Sequence, residues 1–353
     1  MPDRLGFALV GCGMIARYHA RAIAEIPDAR VAALVSRTPA SAAALLAETG
    51  TPACPVFATV EEAVAAPGVD AVVITTPSGA HLEPALAAAA AGKHVVVEKP
   101  LEITGERCAR IIAACDRHRV RLCTIFPSRF ADANVALKAA VDAGKFGRLT
   151  FGEAATKWWR TQAYYDDGGW KGTQALDGGG ALMNQAIHNV DLLLWMMGPA
   201  THVTGLTATL AHDRIEVEDT AAAAVRFRSG ALGTLIAATS IHPGYPKRIA
   251  VHGDKGSAVV EQEDVLTWDF APATADDDAV KARFAAKVGA SGGAADPKSI
   301  DHEGHRRQLA DFVAAVRAGR PPQVDGREGK RAVDLICAVY ESQRTGRTVE
   351  LPE

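Results

Sequence analysis

Apolar and polar positions follow two rhythms along this chain. Over residues 1–126, short apolar runs, GFALVG (6–11), RVAALVS (30–36), DAVVITT (70–76), KHVVVEK (93–99) and RLCTIF (121–126), alternate with stretches of helical period, with a further short piece around Val56. Strands this apolar, interleaved with helices, predict a doubly wound parallel sheet covered on both faces. Beyond 126 the rhythm changes. A helix over 131–143 and a strand, LTFGEAATKWWR (149–160), are followed by short strands between 201 and 270, separated by turn signals such as Ser229-Gly230 and Gly253-Asp254, as in an antiparallel sheet. The Ala-, Gly- and Asp-rich segment 271–300 reads as a mobile loop or insertion whose Asp276-Asp277-Asp278 run is solvated, and helices over about 305–318 and 329–345 end the pattern.

Between the two rhythms lies DGGGALMNQAIHNVDLLLWMMG (177–198), which predicts a helix apolar nearly all round and therefore buried. Its one wet stripe is Asn184, His188 and Asp191, at i, i+4 and i+7. A polar group left unpaired in the interior costs about 1–3 kcal/mol, so this stripe must meet other side chains or a ligand.

At 353 residues the chain suggests two domains, 1–126 and 127–353, with the last helices able to pack back on the first. A net charge of −3 without a Lys/Arg block excludes a nucleic-acid partner as the expectation. No apolar run suits a membrane span and the N-terminal residues lack a signal pattern, so a cytoplasmic protein is expected. Six cysteines without C-x-x-C spacing read as reduced thiols. The sequence Asp301-His302-Glu303-Gly304-His305 lacks the frame of a metal motif, and no metal is expected.

Gly11-Cys12-Gly13-Met14-Ile15-Ala16 is a G-x-G-x-x-A turn between a strand and a helix, where backbone N–H groups and the helix dipole favour a dinucleotide pyrophosphate. This makes residues 1–126 a Rossmann domain. The second strand ends at Ser36-Arg37-Thr38, without the carboxylate that binds a ribose 2′-hydroxyl and with an Arg suited to a 2′-phosphate, which predicts NADP(H) over NAD(H) unless Arg37 stacks on adenine in either cofactor. Two further strand ends supply candidate cofactor contacts: Thr75, Thr76 and Pro77 with His81, and Glu98, Lys99 and Pro100. Arg129, just past the last strand, joins them.

With these motifs in this order, and with HRRQLADFVAAVRAGRPP from His305, the chain resembles the Gfo/Idh/MocA oxidoreductases along essentially its whole length. The resemblance implies a Rossmann domain followed by an α/β domain with a large open, mainly antiparallel sheet, often the basis of a homo-dimer or homo-tetramer. It implies hydride transfer between a nicotinamide and a secondary alcohol or ketone of a sugar, sugar acid or inositol-type polyol. It maps the family's catalytic lysine and histidine to Lys99 and His188. Many members carry Asp four residues before that histidine, where this chain has Asn184, so an Asp/His acid–base pair is unavailable and Asn184 is expected to orient substrate. Asp191 either orients the imidazole or ties the helix to a neighbour. Lys157, Arg160, Tyr164, Tyr165, Trp170 and Lys171 precede the glycine run. Such a basic and aromatic cluster suits a sugar or sugar acid, and equally an oligomer interface. Two other readings remain: an NAD-dependent glycoside hydrolase with transient redox, for which Tyr164 or Tyr165 would serve, and a non-catalytic ligand sensor.

Overall fold

The computed structural model describes residues 4–167, 169–285 and 301–352. The first elements are β1 (Leu5–Val10), α1 (Met14–Ala24), β2 (Ala29–Val35), α2 (Pro39–Thr49), β3 (Val56–Phe57) and α3 (Val60–Ala65). The same alternation continues with β4 (Ala71–Ile74), α4 (Leu82–Ala90), β5 (His94–Val97), α5 (Gly105–His118) and β6 (Leu122–Thr124). There follow α6 (Asp132–Asp142), β7 (Leu149–Lys157), α7 (Gln162–Asp166), α8 (Ile187–Met197), β8 (Ala200–Ala208), β9 (Thr220–Phe227) and β10 (Leu232–Ala238). The last are β11 (Arg248–Gly253), β12 (Gly256–Glu261), β13 (Asp264–Phe270), α9 (Ala275–Arg283), α10 (Glu303–Ala318), α11 (Gly326–Thr345) and β14 (Val349–Glu350).

The chain divides into two compact units, Met1–Pro127 with Asp301–Lys330, and Ser128–Ile300 with Arg331–Glu353. Residues 301–330 of the expected 127–353 segment thus group with the first unit, in keeping with last helices able to pack back on it. The physical reason lies in α10, whose apolar positions Leu309, Phe312 and Val313 complete the core of the first unit beside Phe7, Leu9, Ile23 and Leu34. In that unit a six-stranded sheet has the order β3-β2-β1-β4-β5-β6, with every pairing parallel. The order reverses between β1 and β4, and open parallel sheets bind ligands beyond the strand ends at such a switch point.

The second unit holds an eight-stranded sheet, β13-β12-β11-β7-β10-β9-β8-β14. Its pairs are antiparallel except β7 with β10. Burial alternates along β9, as it must when one face is covered and one is open. Helix α8 lies so close to the covered face that a Cβ on Gly152 would come within 2.8 Å of Leu193. On the open face Leu206, Leu232 and Phe151 remain 72, 48 and 37 % exposed.

Three local readings change. The strand from 149 ends at Lys157, leaving Trp158 buried and Trp159 half-buried beyond it. Residues 177–180 are not helical, and the helix opens with a π-helical turn, Ala181–Ala186, before α8. Within 271–300, α9 forms because Thr274 and Asp277 make a capping box. Asp277 is accordingly 1 % exposed rather than solvated, and accepts from the Trp268 indole at 3.0 Å and from Lys145. Residues 286–300 of that segment lie outside the described residues. Among the described residues no helix is long and apolar enough to cross a membrane.

If α10 completes the first core, Phe312→Ala, at a side chain with 0 % exposure packed on Phe7 with ring centroids 6.1 Å apart, destabilises that unit by about 3–5 kcal/mol. Denaturant titration followed by circular dichroism should show an earlier transition, and an unchanged midpoint would remove α10 from the core.

Candidate active site

In the first unit the chain leaves β1 through Gly11, whose φ of +94° suits glycine alone and whose added Cβ would lie 3.1 Å from the Thr75 carbonyl. Thr75 clamps this point, its hydroxyl donating to the Val10 carbonyl at 2.9 Å. Helix α1 then starts at Gly13 without a side-chain cap and without an acidic residue in its first turn. A Cβ on Gly13 would meet nothing within 4 Å, and Met14 is 48 % exposed. Uncapped N–H groups, open space and no competing carboxylate fit a pyrophosphate. Gly11, Gly13, Met14 and the half-buried Ile15 would hold it. At the end of β2 the Ser36 hydroxyl donates to the Thr38 carbonyl at 2.9 Å, and Arg37 is exposed.

Two expected cofactor contacts have partners within the protein. The His81 ring lies between the Pro100 carbonyl, 2.9 Å from Nδ1, and the Thr76 carbonyl, 3.0 Å from Nε2, and is 1 % exposed. Burial lowers its pKa, and the neutral ring, with a single N–H, donates to one of the two carbonyls. Glu98 also turns inward. Its Oε1 is 2.6 Å from His19 Nε2 on α1 and 3.5 Å from His305 Nε2 on α10, and its Oε2 accepts the Lys99 N–H at 3.1 Å. Burial opposes the charge on Glu98, yet these hydrogen bonds hold its carboxyl well below the usual range, while burial lowers the His19 pKa. The backbone of half-buried Lys99 is thereby pinned, next to a cis bond to Pro100. The sequence D-H-E-G-H around 305 thus contributes a buried hydrogen-bonding histidine.

In the second unit nearly every residue from 181 to 197 is buried; the half-buried exceptions are Asn184, His188 and Trp195. Asn184 and His188 are one turn apart. Asp191, the third member of the stripe, instead takes the Arg129 guanidinium in a bidentate pair, 2.8 Å from Nε and 2.6 Å from Nη2. Arg129, 6 % exposed and also lying over the Trp195 ring, ties the turn after Pro127 to α8.

The glycine run serves close packing. A Cβ on Gly180 would fall 1.7 Å from the Glu218 carbonyl oxygen, and one on Gly179 2.2 Å from the Tyr340 hydroxyl. The Glu218 carboxylate accepts from Gly180 N at 2.9 Å, Leu182 N at 2.8 Å and Tyr340 Oη at 3.0 Å. Asp177 accepts from Gly172 N at 2.9 Å and from Asn184 Nδ2 at 2.6 Å. Sequence reasoning missed Glu218, because a Glu at the foot of a strand carries no motif.

Part of the basic and aromatic cluster converges on Tyr164. Lys171 Nζ lies 4.1 Å and the Arg160 guanidinium 5.6 Å from its ring centroid, and its hydroxyl accepts from Gln185 at 3.2 Å. Burial, reinforced by the Asp177 charge, pushes the Tyr164 phenol up to about 12, and burial lowers the Lys171 pKa. Tyr165 instead bonds Thr239 at 2.7 Å, Lys157 lies at the exposed end of β7, and half-buried Trp170 accepts from the Thr173 hydroxyl through its carbonyl.

Residues 5–126 match the model of the oxidoreductase family with an NAD-binding Rossmann fold, and residues 134–259 match the GFO/IDH/MocA C-terminal domain. The WlbA dehydrogenase from Bordetella pertussis, solved in complex with NADH and UDP-GlcNAcA, is 35 % identical over 100 % of this chain and 99 % of its own, with a TM-score of 0.88. The chain belongs to the GFO/IDH/MocA oxidoreductase family. It is also 25 % identical to an inositol 2-dehydrogenase of Rhizobium meliloti strain 1021, over 98 % of each chain. A levoglucosan dehydrogenase of Pseudarthrobacter phenanthrenivorans is 26 % identical over 81 % of each. This chain is thus an NAD-binding oxidoreductase. The preference for NADP(H) read from Arg37 is not shown: the family model is described as NAD-binding, and the WlbA structure holds NADH. An exposed Arg at this strand end is compatible with stacking on adenine, which both cofactors carry.

The depressed folded-state pKa of Glu98 means that its contribution to stability is complete above the ordinary carboxylate range and is lost as pH falls through the folded value. The thermal midpoint of the wild type should exceed that of Glu98→Gln by a constant margin from about pH 8 to about pH 5, and the margin should shrink below about pH 4.5. A margin independent of pH would show that the charge is not what holds the turn.

Proposed function

We propose that this protein oxidises a secondary alcohol of an acidic sugar, carried as a nucleotide-linked sugar, with NAD. The observation that carries the reading is the helix of 181–197, buried all round except at Trp195 and at the neighbouring Asn184 and His188. The cationic side chains Arg160 and Lys171, gathered about Tyr164, support an anionic substrate. So does the 35 % identity to a dehydrogenase crystallised with UDP-GlcNAcA.

Bound NAD supplies the hydride acceptor. The residues of this chain do the rest. Lys99, one residue past the anchored Glu98, donates a hydrogen bond to the reacting oxygen and stabilises alkoxide character on it. His188 takes the hydroxyl proton, a task suited to an imidazole whose ordinary pKa is about 6.5. Asn184 orients the sugar. Cofactor contacts come from Gly11, Gly13, Met14, Ile15, Ser36, Arg37, Thr75, Thr76 and Pro77. The glycosidase reading is weakened by Tyr164: with a phenol pKa of about 12, only about 10⁻⁵ of it is ionised at neutral pH. The free cysteines suit a cytoplasmic location.

The wild type should reduce NAD in the presence of UDP-GlcNAcA, followed at 340 nm, with a higher kcat/KM for NAD than for NADP. Lys99→Ala and His188→Ala should each lower kcat by about 10²–10⁴ while NADH affinity stays within a few-fold. If both act on one substrate, the double variant loses far less than the product of the single losses, and multiplicative losses would separate them.

The open face of the eight-stranded sheet supports a homo-dimer or homo-tetramer. Leu232 and Phe151 are paired across β10 and β7, and Leu206 lies on the same face through Ala222 and Ile236. Leu206→Glu with Leu232→Lys, at positions 72 and 48 % exposed, should reduce the mass measured by light scattering to that of one chain. An unchanged mass would exclude this face.

A further inference from the structure

We infer that His19 is a positioning residue that aims Lys99 with reference to the helix that holds the cofactor; this rests on the functional reading above. His19 lies on α1, five residues past Met14 and so about 7.5 Å along the axis from the uncapped N–H groups that would take the pyrophosphate. Its ring is 0 % exposed, and its Nε2 stands 2.6 Å from Glu98 Oε1. The other oxygen, Oε2, accepts the Lys99 N–H at 3.1 Å. One rigid carboxylate thus bridges the dinucleotide helix and the backbone of Lys99. The side chain of Lys99 keeps its own contacts; what the bridge sets is the point from which that side chain departs.

Packing alone explains the ring poorly. A carboxylate only accepts, so His19 carries its proton on Nε2 and presents a lone pair at Nδ1. Burial lowers its pKa, which favours this singly protonated form. Nδ1 has no hydrogen-bond partner among the described residues, a loss of about 1–3 kcal/mol that an apolar side chain would avoid. His305 on α10, edge-on to His19 with centroids 5.2 Å apart, stands 3.5 Å from the same Glu98 oxygen, so the short contact is that of His19. Because α1 would also locate the cofactor, nicotinamide and lysine take their positions from one body. Such alignment matters to the rate, since a misplacement of about 1 Å can cost about 10².

A cycle of four proteins tests it: the wild type, His19→Leu, Lys99→Ala and the double variant, with His19→Gln as the rescue. Turnover of NAD with UDP-GlcNAcA is followed at 340 nm, and NADH affinity by its fluorescence. His19→Leu should lower kcat at least about 10-fold, with NADH affinity within about 3-fold of wild type, because the anion-binding end of α1 is untouched. On the Lys99→Ala background the same change should cost less than about 2-fold, since the group it aims is gone. His19→Gln, whose amide N–H can donate where the ring Nε2 does, should recover most of kcat. Wild-type kcat in His19→Leu, an equal loss with and without Lys99, or a Gln variant no better than Leu overturns the inference and leaves His19 as core packing. So does a loss that falls on NADH affinity alone. If His19→Leu does not fold, His19→Asn, whose shorter amide falls near the ring's Nδ1 and not its Nε2, takes its place and the same outcomes decide. A wild type that turns over no UDP-GlcNAcA sinks the functional reading, and this inference with it, and is told apart by that first assay.

Discussion

A helix that begins in the interior presents backbone N–H groups where there is no water to receive them, and in this chain that requirement falls on Glu218. Its carboxylate takes the N–H groups of Gly180 and Leu182, and its own carbonyl takes that of Ala181. Each such group left unmade would cost about 1–3 kcal/mol. The glycines follow from this, since the backbone must pass close enough to Glu218 to be received by it, and no side chain fits between them. The opening turn is π-helical, and Asn184 N bonds back to the Gly180 carbonyl, so the position of Asn184 is set directly by where Glu218 holds the helix start. His188 follows one turn on. A residue with no contact to a substrate thus fixes the aim of two that are proposed to touch it.

Much of the first unit was legible because its signals are local. The apolar strands, the glycine turn and the Glu98-Lys99-Pro100 corner are each readable within a few residues, and the β1–β4 switch point lies where those motifs suggest. The second unit was legible as a rhythm of short strands, but not in its order, because the parallel β7–β10 pair joins segments far apart in sequence. What sequence spacing does not announce is of one kind: His81, Glu98, Arg129 and Asp277 each read as a surface or ligand contact, and each has a partner within the protein. A polar side chain reads identically whether its partner is a ligand or a buried backbone group. The stripe on the helix illustrates the limit. Its period identified Asn184, His188 and Asp191 together, and the burial of Asp191 and its pair with Arg129 separate the last from the first two.

Two buried carboxylates hold the backbone segments that lead to the proposed reacting groups, and their surroundings bias them in opposite directions. Glu98 faces two histidines and a backbone N–H, and these donors outweigh burial to keep it ionised. Glu218 faces two backbone N–H groups and a phenol, and burial prevails, raising its pKa. The difference is physically consistent with their tasks. An ionised Glu98 grips the turn that carries Lys99 through charge-assisted bonds. Glu218 receives the N–H groups of Gly180 and Leu182 one on each oxygen, so a proton on either oxygen weakens one of the two bonds, and the raised pKa brings that loss to a higher pH than at Glu98. The two supports differ in where they give way to acid: burial brings the loss at the start of the Asn184–His188 helix to a higher pH than the loss at the Lys99 turn.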